Sequence, residues 1–236
     1  MKDKEFLTKN KIAHRGIHNL YLENTLPAFE EAIRKNYTIE LDVRLSKDNI
    51  VVVFHDYNLK RIFDINRNIH DLTLKEIKKY QYIPTLEETL KFIQGKVPIL
   101  IEIKYDSRIG ILEKETSCLL NNYPGQFAIQ SFNPLTILWF RLNQPHYIRG
   151  YLVHTILPDN FLLHFLFNRN LLKKVIKPDF IGINLTGLKE KQTKKIRQKY
   201  MLIGYTIKTR EEYQKYKDDA DNFIYECSSI NMPEKY

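Results

Sequence analysis

Short apolar runs rich in β-branched residues recur along the whole chain: "KIAHRG", "TIELDVRL", "IVVVFHD", "VPILIEIK", "FAIQSF", "YIRGYLV", "DFIGINL", "MLIGYTIK" and "NFIYEC". Most alternate with stretches that repeat with the period of a helix. Thr25 to Lys35 places Leu26, Phe29, Ala32 and Ile33 on one face and puts Pro27 in the first turn, where its missing N–H costs little. Further helices are predicted over Thr85 to Ile93, Ile111 to Leu120, Asn133 to Leu142, Phe161 to Ile176, Lys189 to Lys199 and Arg210 to Tyr216. Extra helical turns are expected around Thr73 to Tyr80.

Strands alternating with helices argue for a parallel sheet, and about eight such repeats in a chain of this length fit a single closed (β/α)8 TIM barrel. Nine strand candidates are one too many. The surplus is "IVVVFHD", because "SKDN" (Ser46 to Asn49) is far shorter than the roughly ten residues a parallel crossover needs. It must be a β-hairpin return strand after the second strand, and it should bring His55 back to about the level of Asp42. No Pro/Gly/Ser-rich linker, low-complexity tract or repeat interrupts the chain, so residues 1–236 read as one domain.

Charge adds a bias. With 37 Lys+Arg against 28 Asp+Glu, the net charge of +9 favours an anionic partner, although a solvated basic surface accounts for it equally well. Cys118 and Cys227 lie far apart without a C-x-x-C pattern, which suggests neither a disulfide framework nor a thiolate zinc site and fits a reducing cytoplasm. "MKDKEFLTKNK" lacks the apolar core of a signal peptide, and the chain is expected to be soluble and cytoplasmic. No nucleic-acid-binding motif accompanies the basic charge.

Candidate chemistry lies at the strand ends. Glu40 and Asp42 stand two apart in a strand and so share a face. Glu102 and Lys104 repeat that spacing, and His14 and Arg15 end the first run. Barrel active sites gather at the C-terminal strand ends, so these groups should converge on one mouth. Glu40, Asp42 and Glu102 offer only oxygen, which suits one hard cation such as Mg²⁺ or Ca²⁺. The alternative is a set of ion pairs with Arg15, Arg44 and Lys104. His14 and His55 are the natural acid and base, since imidazole titrates near neutral pH. The remaining histidines, His18, His70, His146, His154 and His164, read as ordinary polar residues.

These residues sit within an ordered set of motifs. "HRG", "ENT" followed by "AF", "IELDV", a "KD" turn, "VVFHD", "NLKR", "LTLKEI", "IPTLEE", "IEIK" and "QSF" resemble, in order and spacing, the glycerophosphodiester phosphodiesterases. That family has a TIM barrel of the phosphatidylinositol-phospholipase-C-like type. The resemblance runs from about Lys11 to Phe223. It implies a divalent metal on Glu40, Asp42 and Glu102, His14 and His55 as general acid and base, and Arg15 and Lys104 on the substrate phosphate. It also implies attack by a neighbouring hydroxyl, a cyclic phosphate opened by water, and release of glycerol 3-phosphate and an alcohol.

Gly16 would let the backbone turn away from the ligand. Glu23 is expected at the same mouth, beyond the metal's direct ligands, and Asn24 as the N-cap of the following helix. Three positions depart from the family pattern: Leu22 replaces a common proline, Asn49 replaces the hairpin glycine, and Lys208 stands where asparagine is common. Asn tolerates the left-handed conformation, so the hairpin should survive.

Substrate choice turns on Phe161 to Phe167, which is apolar nearly all round. It either packs on the barrel or forms a lid or peripheral membrane contact that favours a lysophospholipid over water-soluble diesters. A further alternative, from another class, is a non-catalytic barrel that binds a phosphorylated ligand or a membrane surface. Such a module would need cations but has little use for two imidazoles.

Overall fold

A computed structural model describes residues 2–19, 21–80, 82–105, 109–154 and 171–226. Among these described residues are nine strands: β1 (Ile12–Ala13), β2 (Thr38–Leu45), β3 (Val51–Val53), β4 (Ile99–Ile103), β5 (Phe127–Ser131), β6 (Ile148–Val153), β7 (Phe180–Asn184), β8 (Met201–Ile207) and β9 (Asn222–Tyr225). All but β3 run parallel in the order β1-β9-β8-β7-β6-β5-β4-β2, and pairing of β1 with β2 closes the barrel.

β3 is the expected hairpin return, antiparallel to β2 with Val43 opposite Val53. Along β2, β1 reaches only Thr38 and Ile39, on the edge opposite β4, while β3 takes the upper part of that same edge. The short β1 therefore releases the chain at His14, beneath the level β3 occupies. Asn49 has φ 61°, the left-handed conformation expected of it, and the Ser46 hydroxyl accepts from the Ile50 N–H.

Helices pack outside the strands. Leu26–Arg34, Leu86–Ile93, Ile111–Leu120, Pro134–Asn143, Lys191–Arg197 and Arg210–Tyr216 lie within two residues of their predicted bounds. Of the helix expected over 161–176, Leu171–Ile176 is described as helix; the Phe161 to Phe167 segment lies outside the described residues. Leu74–Ile77 supplies the extra turn expected between β3 and β4. Short helices at Phe6–Lys9, Lys60–Phe63 and Leu185–Leu188 were not predicted, since four residues carry too little periodic signal.

Three packed regions follow from strand alternation. Ile12, Leu100, Ala128, Ile148, Phe180, Ile203 and Ile224 point inward and are joined by Phe6 and Leu7. Outward-facing Ile39, Leu41, Val43, Ile99, Ile101 and Ile103 pack with the helices. A satellite cluster of Val52, Phe54, Leu59, Ile69, Leu72, Ile77 and Ile83 anchors β3. Above the apolar inner layer, in register, come Asp42, Glu102 and Gln130, with Glu40 one level lower, beside Leu100.

Candidate active site

The inward face of β2 carries Glu40 and Asp42, both fully buried; β4 sets Glu102 beside Asp42, and β5 sets Gln130 beside Glu102. Donor oxygens of Glu40, Asp42 and Glu102 come within 4.8 Å of one another. Their charges then interact strongly, by roughly 3.5 kcal/mol per pair at that distance and an effective dielectric of about 20. Cationic neighbours relieve part of this. Lys104 Nζ lies 2.8 Å from Asp42 Oδ1 and also pairs with Glu102, and Arg15 Nε lies 3.3 Å from Asp42 Oδ2.

Burial opposes ionisation of Asp42, but Lys104 and Arg15 overcome it and hold its carboxyl well below the usual carboxylate range. Glu40 goes the other way: burial, then the charges of Asp42 and Glu102, push its pKa well above the usual value. Burial also raises Glu102, against the pull of Lys104. Both raised carboxyls, Glu40 and Glu102, thus resist ionisation in this cluster, and a bound cation would oppose that rise. The donor set fits a hard divalent ion, all oxygen and all buried. The Gln130 Oε1 next to it is buried without a hydrogen-bond partner, an unmet demand of the kind a cation with its waters satisfies.

His14 follows β1, and its N–H donates to the Tyr225 carbonyl of β9 at 3.0 Å. Arg15 then takes a left-handed conformation, φ 55°, so that its backbone N–H points inward and donates to Glu40 Oε2 at 3.0 Å. Gly16, at φ 78°, passes so close to the Leu26–Arg34 helix that a Cβ would lie 2.9 Å from Ala28 and Phe29 atoms. The turn needs glycine for both reasons.

His55 comes back on the hairpin as expected: the Phe54 N–H donates to the Asp42 carbonyl at 3.0 Å, with His55 one residue on. Its Nδ1 lies 2.6 Å from Asp56 Oδ1, which leaves Nε2 free for proton transfer. Arg61 grips Asp56 and Glu23, and Glu23 in turn accepts from Arg15 at 2.8 Å. Glu23 thus reaches the mouth as the partner that orients Arg15. Burial lowers the pKa of both His14 and His55, against the opposing pull of Glu226 on the first and Asp42 on the second.

Asn24 departs from its expected role. Thr25 is the N-cap residue, while Asn24, at φ 58°, donates from Nδ2 to Asp42 Oδ2 at 2.8 Å and accepts from the Asp42 N–H at 3.2 Å. A two-point clamp on a buried carboxylate outweighs a cap, because the helix start can use other groups. The ion-pair alternative for the carboxylates also holds in part, through Arg15 and Lys104. Arg44 donates from Nε to the His55 carbonyl at 2.9 Å, bracing the hairpin.

A cavity of about 660 Å³ opens above this floor and is lined by His14, Arg15, Glu40, His55, Glu102 and Lys104. Its far wall is aromatic: Phe132 stacks on His154 at 4.6 Å and meets Tyr205 edge-on at 5.9 Å. Lys208 and Lys215 stand at the rim with Glu211 and Glu212. Four further residues line or border the site: Gln130 and Glu226, to which the sequence reading gave no role, and His154 and His18, which it read as ordinary polar residues. Of these only Gln130 had a local signal, the alternation of "FAIQSF" that puts it on the inward face.

Fold and site define the class: a TIM barrel with imidazoles, fixed cations and an oxygen-donor cluster at the C-terminal strand ends. The chain belongs to the glycerophosphoryl diester phosphodiesterase family, whose model matches residues 14–222. It is 35% identical over 153 residues to a glycerophosphodiester phosphodiesterase of Caldanaerobacter subterraneus, covering 57% of this chain and 63% of the relative. It is 36% identical over 141 residues to a human lysophospholipase D, covering 52% and 44%. The chain spans about half the length of the curated relatives it matches. An Oleispira antarctica phosphodiesterase, solved with its product sn-glycerol-3-phosphate, shares the fold with a TM-score of 0.81 over 94% of both chains at 24% identity.

Proposed function

We propose that this chain is a single catalytic domain that hydrolyses glycerophosphodiesters to glycerol 3-phosphate and an alcohol, with one divalent cation, Mg²⁺ or Ca²⁺, on Glu40, Asp42 and Glu102. The observation that carries this reading is the convergence of His14 and His55 on the cavity that holds the carboxylates and both fixed cations. When bound, such a cation neutralises charge on a phosphoryl oxygen and favours ionisation of a neighbouring hydroxyl.

The chain's own residues do the rest. Arg15 can meet the phosphate through its planar fork, and Lys104 adds a second positive charge on the opposite side of Asp42. One histidine takes the proton of the substrate hydroxyl beside the ester while the other protonates the departing alcohol oxygen. The hydroxyl oxygen bonds to phosphorus as the P–O bond to the alcohol breaks, leaving a cyclic phosphate. Water then opens the ring with the two imidazoles in exchanged roles. A substrate without a free neighbouring hydroxyl should not react.

A second reading, cleavage of lysophospholipids, is favoured by the apolar wall of Phe132, Leu152 and Tyr205 and by the name of the human relative. The test is choline release from glycerophosphocholine and from lysophosphatidylcholine, after EDTA and with Mg²⁺ or Ca²⁺ restored. Metal-dependent release of choline is expected, and the preferred substrate decides between the readings. Failure across a wider panel of diesters with metal present would favour a non-catalytic phospholigand-binding barrel.

A further inference from the structure

A second group of metal-ligating side chains lies beside the first. His14 directly follows β1, His18 comes in the next turn, and Glu226 directly follows β9, the strand paired with β1. Barrel closure brings them together across more than two hundred residues of sequence. Glu226 Oε2 lies 3.2 Å from His14 Nδ1, and Glu226 Oε1 lies 3.0 Å from His18 Nε2. The two rings meet edge-on with centroids 6.1 Å apart. Donor atoms of all three residues come within 4.8 Å of one another.

Two observations make this group a candidate for a shared ion as well as for hydrogen bonds from two imidazoles to one carboxylate. Four-coordinate zinc with bonds of about 2.0–2.2 Å sets its donors roughly 3.3 Å apart, close to both separations here. In addition, His18 Nε2 is buried and faces Glu226 Oε1 at 3.0 Å without the alignment of a good hydrogen bond. The side chains keep 16–21% of their surface exposed, enough to admit an ion and a water ligand.

We propose that His14, His18 and Glu226 form a second metal site, selective for Zn²⁺ and similar borderline ions, and that filling it stops turnover. Selectivity follows from the donors: two imidazole nitrogens and one carboxylate suit Zn²⁺, whereas the all-oxygen cluster of Glu40, Asp42 and Glu102 suits Mg²⁺ or Ca²⁺. Inhibition follows from the tautomer. A metal on Nδ1 of His14 takes the electron pair there, so the ring's single proton moves through water to Nε2. Nε2 then cannot accept a proton. Because the two histidines exchange roles between the two steps, at least one step is blocked. This inhibitory half rests on the proposed hydrolytic function; the metal site itself does not.

The test uses the full chain with Mg²⁺ saturating. Zn²⁺ affinity is measured by competition with a chromophoric indicator, and Co²⁺ reports geometry through the intense visible absorption of a four-coordinate site. In the wild type, one Zn²⁺ is expected to bind and to abolish choline release reversibly on addition of chelator. His18→Ala should weaken Zn²⁺ binding by at least the roughly 10–100-fold that loss of even an outer partner costs. It should also remove the cobalt absorption and leave Mg²⁺-supported turnover uninhibited by Zn²⁺. If His18→Ala fails to fold by thermal melting, His18→Asn carries the same test. Unchanged Zn²⁺ affinity in the folded variant overturns the site. Binding that is lost in the variant but does not inhibit the wild type overturns the inhibitory role. If no diester is turned over, the site is judged on Zn²⁺ and Co²⁺ binding alone.

Discussion

Asp42 shows how much of the chemistry depends on single side chains. It is ringed by Lys104, Arg15 and Asn24, each contributing charge or a hydrogen bond to one fully buried carboxylate. Asn24 adds no charge, so its role is orientation, and replacing it with Ala leaves the donor set intact but unaimed. Asn24→Ala is expected to weaken Mg²⁺ affinity by about 10–100-fold, with turnover largely recovered at high Mg²⁺. A metal titration of activity beside a direct binding isotherm checks this; unchanged affinity would reduce Asn24 to a structural role. At His55 the distinction lies between chemistry and binding. His55→Ala should cut turnover at least by the roughly 10²–10⁴-fold that general acid–base catalysis contributes, while glycerol 3-phosphate still binds. Equal loss of both would support the non-catalytic barrel.

The hairpin and its satellite cluster act at the scale of elements. β3 is short and contributes His55 only because Val52 and Phe54 are anchored outward among Leu59, Ile69, Leu72, Ile77 and Ile83. The Leu86–Ile93 helix closes this region with a capping box, in which the Thr85 hydroxyl accepts from the Glu88 N–H at 3.1 Å and Glu88 accepts from the Thr85 N–H at 2.8 Å. Thr85→Ala is therefore expected to cost about 1 kcal/mol, read by denaturant unfolding. Inside the barrel the constraint is space. A Cβ on Gly150 would lie 2.1–2.2 Å from ring carbons of the fully buried Phe180. Gly150→Ala should destabilise by about 1–3 kcal/mol through overpacking. That loss would appear as a lowered Tm with no change in metal preference.

For the molecule as a whole, the buried carboxylates weigh against stability, and the proposed cation would offset them. Glu40 and Glu102 have raised pKa values in the folded, metal-free protein, so folding holds protons there that the unfolded chain has released. Their contribution is favourable while both states are protonated and is lost as pH rises above about 4.5 toward the folded values. Glu40→Gln should therefore raise the Tm of the chelated protein at neutral pH, by roughly 2–4 °C for each kcal/mol relieved, and the gain should vanish near pH 4. The same variant should lose the stabilisation that Mg²⁺ or Ca²⁺ gives the wild type, about 2.7 kcal/mol at a hundred times the Kd. Differential scanning across pH, with EDTA or metal, reads both effects. A Glu40→Gln Tm below the wild type at neutral pH would mean that Glu40 is ionised and paired without metal.

The sequence by itself determined the alternation of strands and helices, the hairpin at Ser46 to Asn49, and the shared face of Glu40 with Asp42. Those features depend on periods of two and 3.6 residues and on short turns, all of which operate between near neighbours in the chain. It also placed His14, Arg15, Glu102, Lys104 and His55 at strand ends, where a barrel collects its chemistry. Only the tertiary structure decided that Asn24 clamps Asp42, that Gln130 stands beside Glu40, and that Phe132, His154 and Tyr205 form one wall. Likewise, His18 and Glu226 meet at His14 only because β9 pairs with β1 and closes the ring. Such meetings join residues on different elements, and no local periodicity marks them: the pairing of strands and, for His14 with Glu226, the closure of the barrel bring their atoms together.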